Sequence, residues 1–133
     1  PAINIIIAQR LVRRICASCG RRESPSGEVL EKLRKELAKL PKGIAHPPIT
    51  EKLKLPAPAG CPACNNTGYK GRVGIFEAFV VDDEMEKFIL QSPSNADIVE
   101  RAVAMGMATM KQDGYLKALE GVTTVDEVER VGG

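Results

Sequence analysis

The run Cys61-Pro-Ala-Cys64-Asn65-Asn66-Thr67-Gly68-Tyr69-Lys70-Gly71-Arg72-Val73-Gly74-Ile75-Phe76-Glu77 carries a C-x-x-C turn, a cluster of turn formers and the start of a strand, in that order. A second C-x-x-C, Cys16-Ala-Ser-Cys19, lies upstream with 41 residues between the pairs, and the chain has no other cysteine. Each turn sets two sulfurs on one side of a short loop. Two such turns facing each other offer four thiolates in a tetrahedron, the donor set that suits Zn²⁺. Backbone N–H groups bond such thiolates most easily when the residue after the second cysteine takes positive φ, and Gly20 and Asn65 hold those positions. The candidate metal ligands are Cys16, Cys19, Cys61 and Cys64. Four sulfurs close the coordination shell and leave no open position for catalysis. The competing readings are two disulfides, a thioredoxin-like redox pair and a rubredoxin-like iron centre. The sole histidine, His46, stands beside Pro47 and Pro48 and reads as an exposed loop residue rather than a substitute ligand.

Working outward, Val73, Ile75, Glu77, Phe79 and Val81 alternate with Gly74, Phe76, Ala78 and Val80, so both faces are mostly apolar, which predicts a largely buried strand over 72–81. Upstream of the first turn, Ile3 to Ile15 suits either a short helix end followed by a strand or one long strand. Between the cysteine pairs, Val29, Leu30, Leu33, Leu37 and Leu40 share one helical face, and Pro41 and Gly43 end the run. Pro47, Pro48, Pro56 and Pro58 make the segment up to Gly60 a semi-extended connection with room only for brief regular structure.

From Asp82 the signals are helical. Asp82 and Asp83 suit a first turn, with Met85, Phe88 and Ile89 as its stripe and Pro93 as its stop. Ser94 or Asn95 caps the next helix, whose stripe is Ile98, Val99, Ala102 and Val103, ending near Gly106. A third helix runs from about Thr109 to Glu120, with Met110, Tyr115, Leu116 and Leu119, and Thr124 caps a last short one. The fold class is α+β, with a second half that is mostly a small helical bundle.

A length of 133 residues suits one domain or two small ones sharing a core. The net charge of +2 hides a division: residues 1–72 carry 14 Lys and Arg against 5 Asp and Glu, and residues 73–133 carry 5 against 12. A uniformly basic nucleic-acid binder is disfavoured, and 2 Tyr with 3 Phe leave little for base stacking. No apolar run approaches the ~18 residues of a membrane-spanning helix, and no signal-peptide pattern opens the chain, so a soluble intracellular protein is the expectation. Pro1 running at once into Ile3, Ile5, Ile6 and Ile7 reads as a chain cut from something longer. No G-x-x-x-x-G-K-[ST], H-E-x-x-H or G-x-S-x-G motif occurs, so this stretch by itself is not expected to be an enzyme.

The segments Ile7-Ala-Gln-Arg-Leu-Val-Arg-Arg-Ile-Cys16, Cys61 to Glu77 and Gly106 to Val131 closely resemble the C-terminal region of the type II secretion and type IV pilus assembly ATPases. The likeness covers nearly the whole chain in the right order. It implies a parent that is a cytoplasmic homohexameric ATPase, peripherally associated with the inner membrane through a platform protein and driving extrusion of pilin or pseudopilin subunits. ATP and Mg²⁺ would be held by Walker elements upstream of Pro1. Residues 1–15 would be the C-terminal edge of a RecA-like core, 16–71 a zinc-binding tetracysteine subdomain and 72–133 a helical C-terminal subdomain. The family's retraction motors generally lack the tetracysteine insertion, so its presence favours the assembly or secretion branch.

By the same resemblance Cys16, Cys19, Cys61 and Cys64 fall on the family's metal ligands, Gln9, Arg10 and Arg13 on its AQRLVR segment, and Arg72 and Glu77 on its GR…E segment. An interdomain or intersubunit role for Arg10 and Arg13 stands against solvated charge, on the premise that Leu11 points inward while its neighbours point out. Arg72 and Glu77 face opposite sides of a regular strand, so a direct pair needs a bulge, for which Gly74 is the candidate. The leading function is a force-transmitting module in which zinc clamps the two turns and the intervening helix into a protrusion. The alternatives are a zinc-ribbon nucleic-acid binder using Arg10, Arg13, Arg14, Arg21 and Arg22, and a thiol redox or electron carrier.

Overall fold

In a computed structural model of the chain, which describes residues 4–132, the elements run β1 (Ile5–Ile15), β2 (Arg21–Glu23), α1 (Gly27–Leu37), β3 (Leu55–Ala57), a single 3-10 turn (Pro62–Cys64), β4 (Tyr69–Val80), α2 (Asp83–Ile89), α3 (Asn95–Ala104), α4 (Met110–Leu119) and α5 (Val125–Gly132). The β-branched run resolves into one long strand, since Ile, Val and their neighbours favour extended backbone when a partner strand is available. Ile3 lies outside the described residues. β1 and β4 pair antiparallel from Ile5 opposite Val80 to Ile15 opposite Tyr69, and β2 pairs with β3 in a separate ribbon. Among the described residues no helix is long and apolar enough to cross a membrane.

The register sets which side chains go in. Ile6, Ala8 and Val12 share a face with Phe79, Glu77 and Val73, and Val12 and Ile75 are fully buried. The other face carries Ile5, Ile7 and Leu11 with Phe76 and Val80, all exposed. Two expectations are corrected here. Leu11 points outward, 43% exposed, and Val12 takes the inward place; and β4 is buried on one face only, because just one side of the two-stranded ribbon receives helices. A bulge is present, but between Arg13/Ile15 and Tyr69/Arg72, where Gly71 has φ +82°, and not at Gly74.

One core gathers Val12, Leu33, Leu37, Ile75, Tyr115 and Leu119 with Leu55, Ala118, Val125 and Val128. It therefore joins β1, α1, β3, β4, α4 and α5. The helix between the cysteine pairs does not project as a separate protrusion: Leu33 and Leu37 sit beneath α4, Gln112 Nε2 donates to the Glu36 carbonyl (3.4 Å), and Lys32 pairs with Glu129 (3.2 Å). A second, smaller core of Val81, Met85, Ala102 and Met107 holds α2 and α3 against the far ends of β1 and β4. Ser94 and Thr124 cap their helices as the sequence signals predict, and Ser26, Asp82 and Thr109 likewise each accept a backbone N–H of a first turn.

The last helix is tied to the first strand through one buried carboxylate. Glu127 is 1% exposed and accepts from Arg13 N (2.8 Å), Arg13 Nε (3.1 Å) and Nη2 (3.0 Å), and Arg130 Nε (2.8 Å) and Nη2 (2.7 Å). Arg13 also stacks over the Tyr69 ring at 4.3 Å, and Arg10 Nη1 donates to the Val131 carbonyl. Both arginines thus act within the chain, fastening α5 to β1. The hydrogen bonds of Arg130, with those of Arg13 added and burial opposing, hold the Glu127 carboxylate down at about 2. A depressed carboxylate pKa contributes stability that is present above the ordinary value near 4.5 and is lost as pH falls toward about 2. Glu127→Gln is expected to cost about 2 kcal/mol at neutral pH in urea unfolding, less than the ~3–5 kcal/mol of a fully buried pair because both arginines keep access to water. The wild-type advantage over the variant should shrink through that acid window; an advantage that grows on acidification would contradict the assignment.

Candidate metal centre

The β1–β4 ladder ends where the cysteines begin. Beyond Ile15 opposite Tyr69, Cys16 N donates to the Gly68 carbonyl at 2.9 Å, which seats the first turn against the second. In the second turn Cys61 is extended, Pro62–Cys64 form one turn of 3-10 helix, and Asn65 and Asn66 both take the left-handed region at φ 54° and 60°. Thr67 Oγ1 donates to the Cys64 carbonyl at 2.7 Å and closes this knuckle.

The four sulfurs converge. All lie within 4.8 Å of one another, with Cys16–Cys61 at 3.8 Å and both Cys19–Cys64 and Cys61–Cys64 at 3.7 Å. Four sulfurs each about 2.3 Å from a common centre define a tetrahedron with edges of about 3.8 Å, so the spacing fits a Zn²⁺ or similar ion. Cys16 and Cys64 are buried, Cys19 and Cys61 partly so. Backbone donors point at sulfur, among them Gly60 N to Cys19 (3.3 Å), Cys61 N to Cys64 (3.3 Å) and Gly68 N to Cys64 (3.2 Å). Burial pushes the Cys64 thiol up, but the Cys61 and Gly68 N–H groups and neighbouring thiols bring it down to about 6. At Cys19 the Gly60 N–H favours the thiolate, yet burial and the other three sulfurs outweigh it and raise the thiol to about 11. Backbone N–H groups of Cys19 and Ser18 likewise bring the Cys16 thiol down, so the protein alone favours charge on Cys16 and Cys64 and resists it on Cys19; a divalent cation would stabilise all four thiolates together.

His46 is exposed in its loop, where its Nδ1 lies 2.8 Å from the Pro47 carbonyl, and it takes no part in the cluster. Arg72 stands opposite Arg13 in the ladder and Glu77 opposite Ala8; Glu77 Oε2 accepts from Met110 N (3.0 Å) at the start of α4 instead of meeting Arg72. Asn65 has the expected positive φ, whereas Gly20 does not: its requirement is steric, since a Cβ there would stand 2.7 Å from the Cys16 carbonyl oxygen.

Gly68 and Glu127 were not singled out by sequence. Gly68 is buried at φ +83°, gives its N–H to Cys64 and its carbonyl to Cys16, and has Pro58 so close that a Cβ would lie 2.4 Å from the proline's own. Its signal lay in the Asn-Asn-Thr-Gly cluster, legible as a turn but not as a hub. Thr124-Val-Asp-Glu127 has the form of a capping box, which hides the carboxylate's long-range use. Gly68→Ala is expected to destabilise the chain by about 2–3 kcal/mol in urea unfolding through backbone strain and overpacking. Gly27→Ala, at the start of α1 with open space around its Cβ, is the control and should be neutral or mildly stabilising. Equal effects at both sites would contradict the role of Gly68.

Comparison with known proteins adds a family. The model described as Type II/IV secretion system protein matches residues 1–130. The chain is 40% identical over 123 residues to the type IV pilus assembly ATPase PilB of Thermus thermophilus, covering 92% of this chain and 13% of that protein. It is 35% identical over 130 residues to PilB of Pseudomonas aeruginosa (98% of this chain, 21% of that protein) and 37% identical over 126 residues to the type II secretion system protein E of the same organism (95% and 22%). The chain therefore spans about a fifth or less of the length of these relatives. With the family model running through both cysteine turns and on to the last helix, the chain belongs to the type II/IV secretion system protein family.

Proposed function

We propose that this chain is the zinc-stabilised C-terminal module of an ATP-driven motor for type II secretion or type IV pilus assembly. The observation that carries this is the set of four sulfurs at tetrahedral spacing, in a chain whose relatives bear those names over more than nine-tenths of its length. Cys16, Cys19, Cys61 and Cys64 would hold the ion as thiolates, and the N–H groups of Gly60, Cys61 and Gly68 would orient the sulfurs. Zinc, when bound, supplies folding free energy by closing the two turns on each other. A Zn²⁺ with four thiolates adds a charge of about −2, which brings the folded chain from +2 to about zero.

Residues 1–15 are read as the C-terminal edge of a RecA-like core, 16–71 as the zinc segment and 72–133 as the helical segment. The exposed ribbon of Ile5, Ile7, Leu11, Phe76 and Val80 supports the first assignment, since an apolar sheet face of this kind suits burial by a preceding part of a longer protein. That preceding part would bind ATP and Mg²⁺ and assemble as a hexamer on the cytoplasmic side of the inner membrane, peripheral to it and held by a platform protein. The core shared by α1, α4, α5 and the ladder supports a transmitting role: a displacement of β1 reaches the cysteine turns and the last helix together, through Cys16 on one side and Glu127 on the other.

The test has two parts. The chain should bind one zinc, release protons on uptake so that affinity falls with falling pH, and lose cooperative unfolding on chelation. In the full-length motor, Cys61→Ser should lose piliation or secretion while nucleotide binding persists. Wild-type pilus assembly or secretion by that variant would overturn the proposal, and iron or a titratable disulfide in the purified chain would replace zinc with redox chemistry.

A further inference from the structure

The helical stripe expected on α3 is only half used. Ala102 is fully buried and Ile98 partly so, but Val99 and Val103, one turn apart on the same face, remain 38% and 37% exposed, and Met105 just beyond is 44% exposed. On a different side of α3, separated from Val99 and Val103 by Glu100, α2 and α3 border an open cleft of about 510 Å³, lined by Phe88, Pro93 and Ala104 with Asp97, Glu100 and Arg101. Arg101 lies over the Phe88 ring at 5.3 Å and reaches Glu84 at 3.8 Å, so the lobe's second cation besides Lys87 is already engaged by its own side chains.

Charge narrows what suits such a surface. Residues 82–105 carry six carboxylates against two cations. Nucleic acid and anionic bilayers are repelled by that field. A polypeptide bringing its own lysines or arginines is attracted to it, and the apolar stripe then supplies contact area. An amphipathic helix matches both requirements, because its apolar anchors recur at the spacing that Val99 and Val103 present while a flanking cation meets Glu100, which borders both the valines and the cleft. We propose that the α2–α3 lobe is the docking surface for a basic amphipathic helix of a protein partner.

This surface lies apart from the cysteines and is held by its own small core, so the inference stands or falls separately from the zinc reading. The test titrates the purified chain with a synthetic amphipathic peptide of leucine and lysine, and with its leucine and glutamate counterpart, following backbone amide shifts by NMR. The leucine–lysine peptide should shift resonances between Phe88 and Met105, and the glutamate peptide should not. Glu100→Lys combined with Val103→Asp, both at exposed positions, should weaken binding at least about tenfold with little change in melting temperature. Glu100→Gln, which removes charge alone, should give a smaller loss and serves if the double variant unfolds. Equal response to both peptides, shifts centred on the cysteine turns, or binding unchanged in the variants would overturn the proposal.

Discussion

Four sulfur atoms share one point only if two turns 41 residues apart are brought together, and the β1–β4 ladder is what brings them. Its last pair, Ile15 opposite Tyr69, leaves Cys16 beside Gly68 and hence beside the knuckle of Cys61 and Cys64. Slip one strand by one residue against the other and Val12 and Ile75 no longer share a face, so that one of them turns to solvent. Burial of those two side chains thus fixes the position of the cysteines. The dependence also runs the other way, because a cation closing the sulfurs would lock the far end of the ladder and the glycine that joins both turns.

The same ladder governs the charges. Fourteen basic residues in the first half suggest a surface waiting for phosphates, yet two of the arginines, though exposed, are bonded within the chain. Arg13 gives five-point contact with Arg130 to a single buried carboxylate, and Arg10 reaches the end of α5. A nucleic-acid surface built on Arg10 and Arg13 would have to break these bonds. Residues 82–105, the stretch of α2 and α3, carry four of the seven excess negative charges of the second half, and α5 carries two more.

Most of the fold was legible because its signals are local. Helix α1 announces itself by Leu30, Leu33 and Leu37 at helical spacing, and later helices by Ser94 and Thr124 at their caps. The cysteine cluster was legible because the C-x-x-C spacing is itself a geometric statement. What escaped depends on contacts distant in sequence. Nothing local tells whether Leu11 or Val12 faces the core; the helices that cover one side of the ribbon decide it. The β2–β3 ribbon joins Arg21–Glu23 to a Pro-containing segment that period-2 patterning cannot flag in three residues. Gly68 and Glu127 were hidden by plausible local readings, a turn and a cap, that are true but incomplete.

The central claim is that the two cysteine turns form one closed tetrathiolate site. X-ray absorption at the zinc edge, on the chain purified with its metal, tests it most directly. The account predicts a single shell of four sulfur neighbours at about 2.3 Å with no lighter scatterer. Nitrogen or oxygen in the first shell, or a chain that folds with its four cysteines free of metal, would contradict it.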